Sequence, residues 1–202
     1  NIPSFRLPGS VLDEEIGTIV EMGVDLRLGH RIDSMRQLLE EGGFDAIFVG
    51  SGAPKGKELD LPGRTEAAAN VHIGITWLES IAFDHVHSVG ESVLIIGVGN
   101  TAMDCCRSSL RLGAKSVKVM ARKPRQFFKA SEWELEDAEA ESVEIVINRS
   151  PKSFVIESGK LKGMLFDVME YEVDARGRIT AERVTAEEFL PADDVILAIG
   201  QE

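Results

Sequence analysis

At 202 residues, with 44% hydrophobic and 28% charged side chains, the chain is long enough for one globular domain, or for one domain plus part of another. Thirty-four Asp and Glu against 22 Lys and Arg leave a net charge of −12, which argues against nucleic acid or an anionic membrane as partner. No apolar run approaches the roughly 20 residues of a membrane span. No signal peptide opens the chain, and no C-x-x-C or metal-ligand spacing occurs, so neither a metal nor an iron–sulfur site is expected within it.

Residues 10–22 read as an amphipathic helix, with Ser10 as N-cap and Val11, Leu12, Ile16, Ile19 and Val20 on one side. A short strand is expected at 24–28 and a second helix at 35–41. The run Phe44, Ala46, Ile47, Phe48, Val49 reads as a buried strand that enters the glycine-rich end Gly50-Ser51-Gly52. An α-β-α-β series of this kind cannot close a sheet alone and reads as the later part of an α/β domain. The connector 54–63, ending in Leu61-Pro62-Gly63, is a natural boundary. A helix over 71–83 and a polar link over 83–90 follow. His30, His72, His85 and His87 are scattered and are read as surface residues.

The most informative stretch begins at residue 91. Val93-Leu94-Ile95-Ile96 is a continuous apolar run, the mark of a strand buried on both faces. Gly97-Val98-Gly99-Asn100-Thr101-Ala102 follows it, and the pattern from Thr101 to Leu112 is helical, closed by Gly113. A strand, a G-x-G-x-x-A turn and a helix form the dinucleotide-binding fingerprint. In it Gly97 lets the chain turn sharply. Gly99 leaves the backbone open to a pyrophosphate, and Ala102 lets helix and strand pack closely. The helix N-terminus offers unpaired N–H groups and partial positive charge to the phosphates. Cys105 and Cys106, adjacent on that helix, are expected to be packing residues.

A second strand is expected at 116–121. At its end an NAD-preferring site places an acidic residue for the ribose hydroxyls, but this chain carries Arg122, Lys123 and Arg125. Such cations suit a 2′-phosphate, so the fingerprint points to NADP(H). Residues 132–141 read as a helix with a solvated acidic face, since six of the ten are Asp or Glu. Residues 143–147 read as a third parallel strand. From Phe154 the pattern changes to a hairpin or meander, with strands at 154–157 and 162–173 and turns at Ser158-Gly159 and 174–177. The apolar run 194–200, ending at Ala198-Ile199-Gly200, is a further buried strand that echoes 44–52. The fold class is α/β: a Rossmann-like three-layer dinucleotide-binding domain carrying a β-meander.

These segments resemble the glutamate synthase small (beta) subunit family. Its relatives include the reductase portion of dihydropyrimidine dehydrogenase and the large subunit of a ferredoxin-dependent transhydrogenase. The resemblance rests on Ile2-Pro3-Ser4-Phe5-Arg6-Leu7-Pro8, the run from Phe44-Asp45-Ala46 to Gly52-Ala53, Leu61-Pro62-Gly63, Gly97-Val98-Gly99-Asn100-Thr101-Ala102-Met103-Asp104 and Ala198-Ile199-Gly200-Gln201. It implies a disulfide-reductase-like flavoprotein in which the NAD(P)H domain is inserted into an FAD-binding α/β domain. Residues 1–60 would be part of that FAD domain, 61–192 the inserted domain and 193–202 the return strand. NADP(H) would lie on Gly97, Val98, Gly99, Asn100, Thr101, Ala102 and Asp104, with Arg122 and Lys123 on the 2′-phosphate. Ser51, Gly52, Ala198, Ile199 and Gly200 would flank a truncated FAD site. The start at Asn1 and the stop at Glu202 are read as those of an excised piece. Iron–sulfur clusters would lie elsewhere in the whole protein, a cytoplasmic electron-transfer oxidoreductase working with a redox partner or large subunit.

Two departures stand out. The family usually carries three glycines where this chain has Gly97-Val98-Gly99, and an Arg-Arg pair where it has Arg122-Lys123. No acid–base side chain is required, since hydride transfer is the chemistry of the cofactors. The alternative is a non-catalytic nucleotide-binding or scaffold subunit that keeps the fold. Thiol exchange of the thioredoxin reductase type is disfavoured because residues 64–92 contain no Cys. A short-chain dehydrogenase is disfavoured because Tyr171, the only tyrosine, has Ala175 rather than Lys four residues on.

Overall fold

The computed structural model describes residues 2–201; the termini Asn1 and Glu202, on which the excision expectation rests, lie outside the described residues. In chain order the elements are α1 (Gly9–Glu21), α2 (Met35–Glu41), β1 (Val71–Ile73), α3 (Gly74–Ala82), β2 (Ser92–Ile96), α4 (Asn100–Arg111), β3 (Ser116–Met120), α5 (Glu132–Ala140), β4 (Glu144–Val146), β5 (Arg149–Glu157), β6 (Lys160–Val173), β7 (Ile179–Pro191) and β8 (Asp194–Leu197). They fall into two compact units, one spanning Ser4–Ala53 and the other formed chiefly by the chain from Pro54 onward.

The smaller unit carries α1 and α2. Ser34 caps α2 by accepting a hydrogen bond from Gln37 N at 3.2 Å, whereas α1 starts after Pro8, so Ser10 is inside the helix and is not its cap. The strands expected at 24–28 and 44–53 do not form, and the second is not buried: Phe48 is 95% exposed. An apolar run becomes a strand only against hydrogen-bonding neighbours, and among the described residues this unit supplies none.

The larger unit is built on a five-stranded parallel sheet of order β1-β8-β2-β3-β4. Successive side chains of a strand point to opposite faces, so β2 feeds two cores. Val93 and Ile95 face Trp77, Met103, Cys105 and Leu135 of the helices α3, α4 and α5. Leu94 and Ile96 face Phe154, Met164 and Phe166 of a second, antiparallel sheet of order β5-β6-β7. Helices, parallel sheet and antiparallel sheet are thus the expected three layers, and burial on both faces explains why β2 has no polar alternation.

Three placements differ from expectation. The segment 71–83 begins as a strand, because Val71, His72 and Ile73 pair with Val195, Ile196 and Leu197 before the helix starts. Asp194–Leu197, within the segment 193–202, forms β8, a central strand that pairs with both β1 and β2. The strand β7 was not legible, because it is an edge strand exposed along most of its length. His72, expected at the surface, is half-buried and lies 3.2 Å from Asp194, which also accepts from Asn70 and from Gly90 N. Burial raises the Asp194 carboxyl, but these hydrogen bonds outweigh it and hold the group below its ordinary value.

The acidic helix α5 is not simply a solvated face. Glu134 is only 3% exposed, and the Arg107 guanidinium of α4 reaches Asp137 and Glu141, each at 2.9 Å. Arg111 adds a second clasp on Glu141 at 2.6 Å. Its hydrogen bond, then that of Arg107, outweighs desolvation and lowers the Glu141 carboxyl to about 2. A carboxyl depressed on folding contributes stability above its ordinary value and loses it as pH falls through the folded value. The wild-type advantage over Glu141→Gln in urea midpoint is therefore expected to shrink as pH falls from 4.5 toward 2. A pH-independent gap would contradict this account of the clasp.

Candidate functional site

The functional features converge where β2, β3 and β8 end. Gly97 follows β2 with φ +121°, a left-handed conformation, and a Cβ there would lie 2.3 Å from the Ala198 carbonyl oxygen. Gly97 is thus required by the approach of the segment after β8. Gly97 N donates to Met120 O at 3.2 Å and Ala198 N to Ile96 O at 2.8 Å, which ties the three strand ends together. Gly99 precedes α4 in extended conformation, and a Cβ there would meet no atom within 4 Å. Ala102, fully buried, keeps α4 against the sheet.

A cleft of about 290 Å³ opens here. The turn lines it with Gly97, Val98, Gly99 and Thr101, the end of β3 with Arg122 and Lys123, and the segment after β8 with Ala198, Ile199 and Gly200. Not all the expected residues join it. Asn100 turns aside, its Oδ1 accepting from Ser131 N at 3.0 Å and from Ser131 Oγ at 3.3 Å. Asp104 is buried on α4, outside the cleft lining. Arg125 binds Glu139 at 2.5 Å and Glu132 at 3.0 Å, which keeps its guanidinium firmly protonated and away from the cleft. Ser51 and Gly52 are exposed and belong to the smaller unit.

Two further residues, Phe127 and Lys129, line the cleft without any signal in the sequence that points to them. They lie in an aperiodic loop that carries no local signal. The loop reaches the cleft because Lys129 N and Ala130 N donate to Val98 O, at 3.2 and 3.0 Å. Lys123 Nζ sits 5.7 Å from the centre of the Phe127 ring. Tyr171 of β6 donates its hydroxyl to Arg122 O at 2.7 Å, fixing the backbone beneath that cation.

Among the described residues, no ion pair engages Arg122, Lys123 or Lys129. A chain of net charge −12 therefore presents an open cleft with three cations and a helix N-terminus. That arrangement is suited to a multiply charged phosphate ligand. Cys105 and Cys106 are buried; desolvation raises both thiols, Cys106 to about 12, so neither supplies a thiolate at neutral pH. No group of three or more His, Cys, Asp or Glu that could hold a metal ion occurs among the described residues. No described helix is long and apolar enough to cross a membrane.

The pattern of the pyridine nucleotide-disulphide oxidoreductases matches residues 23–202. The chain is 37% identical over 206 residues to the NADP(+)-dependent formate dehydrogenase subunit beta of Moorella thermoacetica, covering 99% of this chain and 29% of that protein. It is 35% identical over 214 residues to the glutamate synthase [NADPH] small chain of Halomonas elongata, covering 98% of this chain and 44% of that one. A subunit of the NAD-dependent dihydropyrimidine dehydrogenase of Salmonella typhimurium is 36% identical over 204 residues, 99% of this chain and 44% of its own length. The chain thus spans less than half of each of these relatives. Among solved structures, the Mycobacterium tuberculosis oxidoreductase FprA superposes with a TM-score of 0.62 at 17% identity, over 78% of this chain and 50% of that one. Lactococcus lactis thioredoxin reductase gives 0.53 at 20% identity, over 74% and 42%. At these identities the two structures speak for the fold alone.

Proposed function

Because this chain belongs to the pyridine nucleotide-disulphide oxidoreductase family, we propose that it binds NADP(H) as the nicotinamide-nucleotide half of a flavoprotein electron-transfer oxidoreductase. The observation that carries the reading is the pairing, across one cleft, of the Gly97–Gly99 turn with Arg122 and Lys123 at the end of β3. The pyrophosphate would be held by the turn and the N-terminus of α4, and the 2′-phosphate by the two cations. The bound nucleotide supplies a hydride. The chain's own contribution is to bind and orient it, with Tyr171 steadying Arg122 and Ala102 setting the distance between helix and strand.

Ala198, Ile199 and Gly200 line the nucleotide cleft, while Ser51 and Gly52 sit in the other unit without a sheet around them. Flavin dependence of the whole protein, transfer through iron–sulfur clusters and a large-subunit partner rest on its family and on the names of its relatives. The relatives named above include both NADP- and NAD-dependent proteins, so nucleotide preference rests on Arg122 and Lys123. Titration of the chain with NADPH, followed by nucleotide fluorescence, is expected to saturate at one nucleotide per chain. Titration without saturable change would remove the proposal. A whole protein that purifies yellow and bleaches anaerobically with NADPH would support the enzyme, whereas a colourless one that takes up no FAD would support the scaffold alternative.

A further inference from the structure

We propose that Lys129 is a further cofactor-binding residue, directed at the pyrophosphate, and that Asn100 is the positioning residue that holds its loop in place. The inference rests on the nucleotide-binding reading above. Lys129 lines the cleft, yet its backbone is anchored to the glycine turn and not to the end of β3, since its N–H donates to Val98 O at 3.2 Å. Its side chain therefore starts from beside the turn on which the pyrophosphate would rest, whereas Arg122 and Lys123 line the cleft from the end of β3.

The loop between β3 and α5 is fastened at three places. Arg125 binds Glu132 and Glu139 of α5, Val98 O takes the two N–H groups of Lys129 and Ala130, and Asn100 Oδ1 takes both Ser131 donors. Asn100 is the first residue of α4, directly after Gly99, and Ser131 immediately precedes α5. One side chain thus links the phosphate-facing end of α4 to the start of α5, two residues beyond Lys129. Its amide oxygen is engaged in that link, so Asn100 acts on the cofactor through the loop.

The pyrophosphate is common to NADH and NADPH, and this separates Lys129 from the cations at the end of β3. Lys129→Ala is expected to weaken both nucleotides about fivefold, with their affinity ratio unchanged, as befits one exposed charge-assisted contact. Lys129→Met, which keeps most of the stem without the charge, should match it. Asn100→Ala is expected to weaken both about threefold on the same physical grounds, and the Asn100→Ala, Lys129→Ala double variant should bind no worse than Lys129→Ala alone. Calorimetric titration with NADP+ and NAD+, with melting temperatures recorded to confirm folding, decides the matter. A loss confined to NADP+ would assign Lys129 to the 2′-phosphate and overturn the proposal, as would normal binding by both Lys129 variants. Additive losses in the double variant would overturn the role of Asn100. Failure of Arg122→Ala with Lys123→Ala to alter nucleotide preference, alongside the expected Lys129 behaviour, would overturn the preference assignment and leave this inference standing.

Discussion

Replacing Arg122 and Lys123 together with alanine is expected to weaken NADPH binding about a hundredfold while changing NADH binding less than about threefold. The two cations line the same cleft as the glycine turn and have no carboxylate partner among the described residues, so nothing but a ligand anion competes for them. A hydrogen bond to a charged group contributes about 1.5–3 kcal/mol, and tenfold in affinity corresponds to about 1.4 kcal/mol. Two exposed contacts to the 2′-phosphate, each at the lower end of that range, therefore amount to about two orders of magnitude, and NADH, lacking that phosphate, forfeits none of them. Binding constants measured for both nucleotides check this. Equal losses would mean that the pair raises affinity through general positive charge and does not read the 2′-phosphate.

The two glycines of the turn are expected to fail in opposite ways. Gly97→Ala places a Cβ 2.3 Å from Ala198 O at a residue with φ +121°. The clash and the left-handed conformation together should cost about 3 kcal/mol or more, lowering the melting temperature by roughly 6–12 °C. Gly99→Ala meets no atom within 4 Å and keeps an allowed backbone. It should therefore remain within about 1 kcal/mol of wild-type stability, the ordinary difference between Gly and Ala at a helix cap. Its methyl group would instead stand in the cleft where the backbone meets the ligand, and affinity for both nucleotides should fall about tenfold or more. Thermal melts paired with NADPH titrations separate the two. A destabilised Gly99→Ala, or a Gly97→Ala that melts like wild type, would contradict the roles assigned to the turn.

These roles also show what was legible in the residues. The strand β2, the turn and α4 appear within a residue or so of expectation, because each is specified locally. Four apolar residues in a row report burial on both faces, two glycines report the turn, and Gly113, at φ +99°, closes the helix. The basic end of β3 was legible for the same reason, since its distance from the turn is set by one helix and one strand. Features created by tertiary pairing were not. The run 44–53 has the composition of a buried strand but finds no strand partner among the described residues of its unit. Residues 194–197 read as a buried strand, but their place in the sheet between β1 and β2 is set by tertiary pairing. Arg125 reads as a third phosphate ligand until the folded chain supplies Glu132 and Glu139 beside it. Lys129 reads as an ordinary loop residue until Val98 O draws its loop across the turn.

The central claim, that the cleft at the ends of β2, β3 and β8 is an NADP(H) site, is tested most directly by a crystal structure of the chain grown with NADP+. The account predicts the pyrophosphate against the Gly97–Gly99 turn and the start of α4, with the 2′-phosphate within hydrogen-bonding reach of Arg122 and Lys123. A nucleotide bound elsewhere, or one whose 2′-phosphate points into solvent away from both cations, would contradict it.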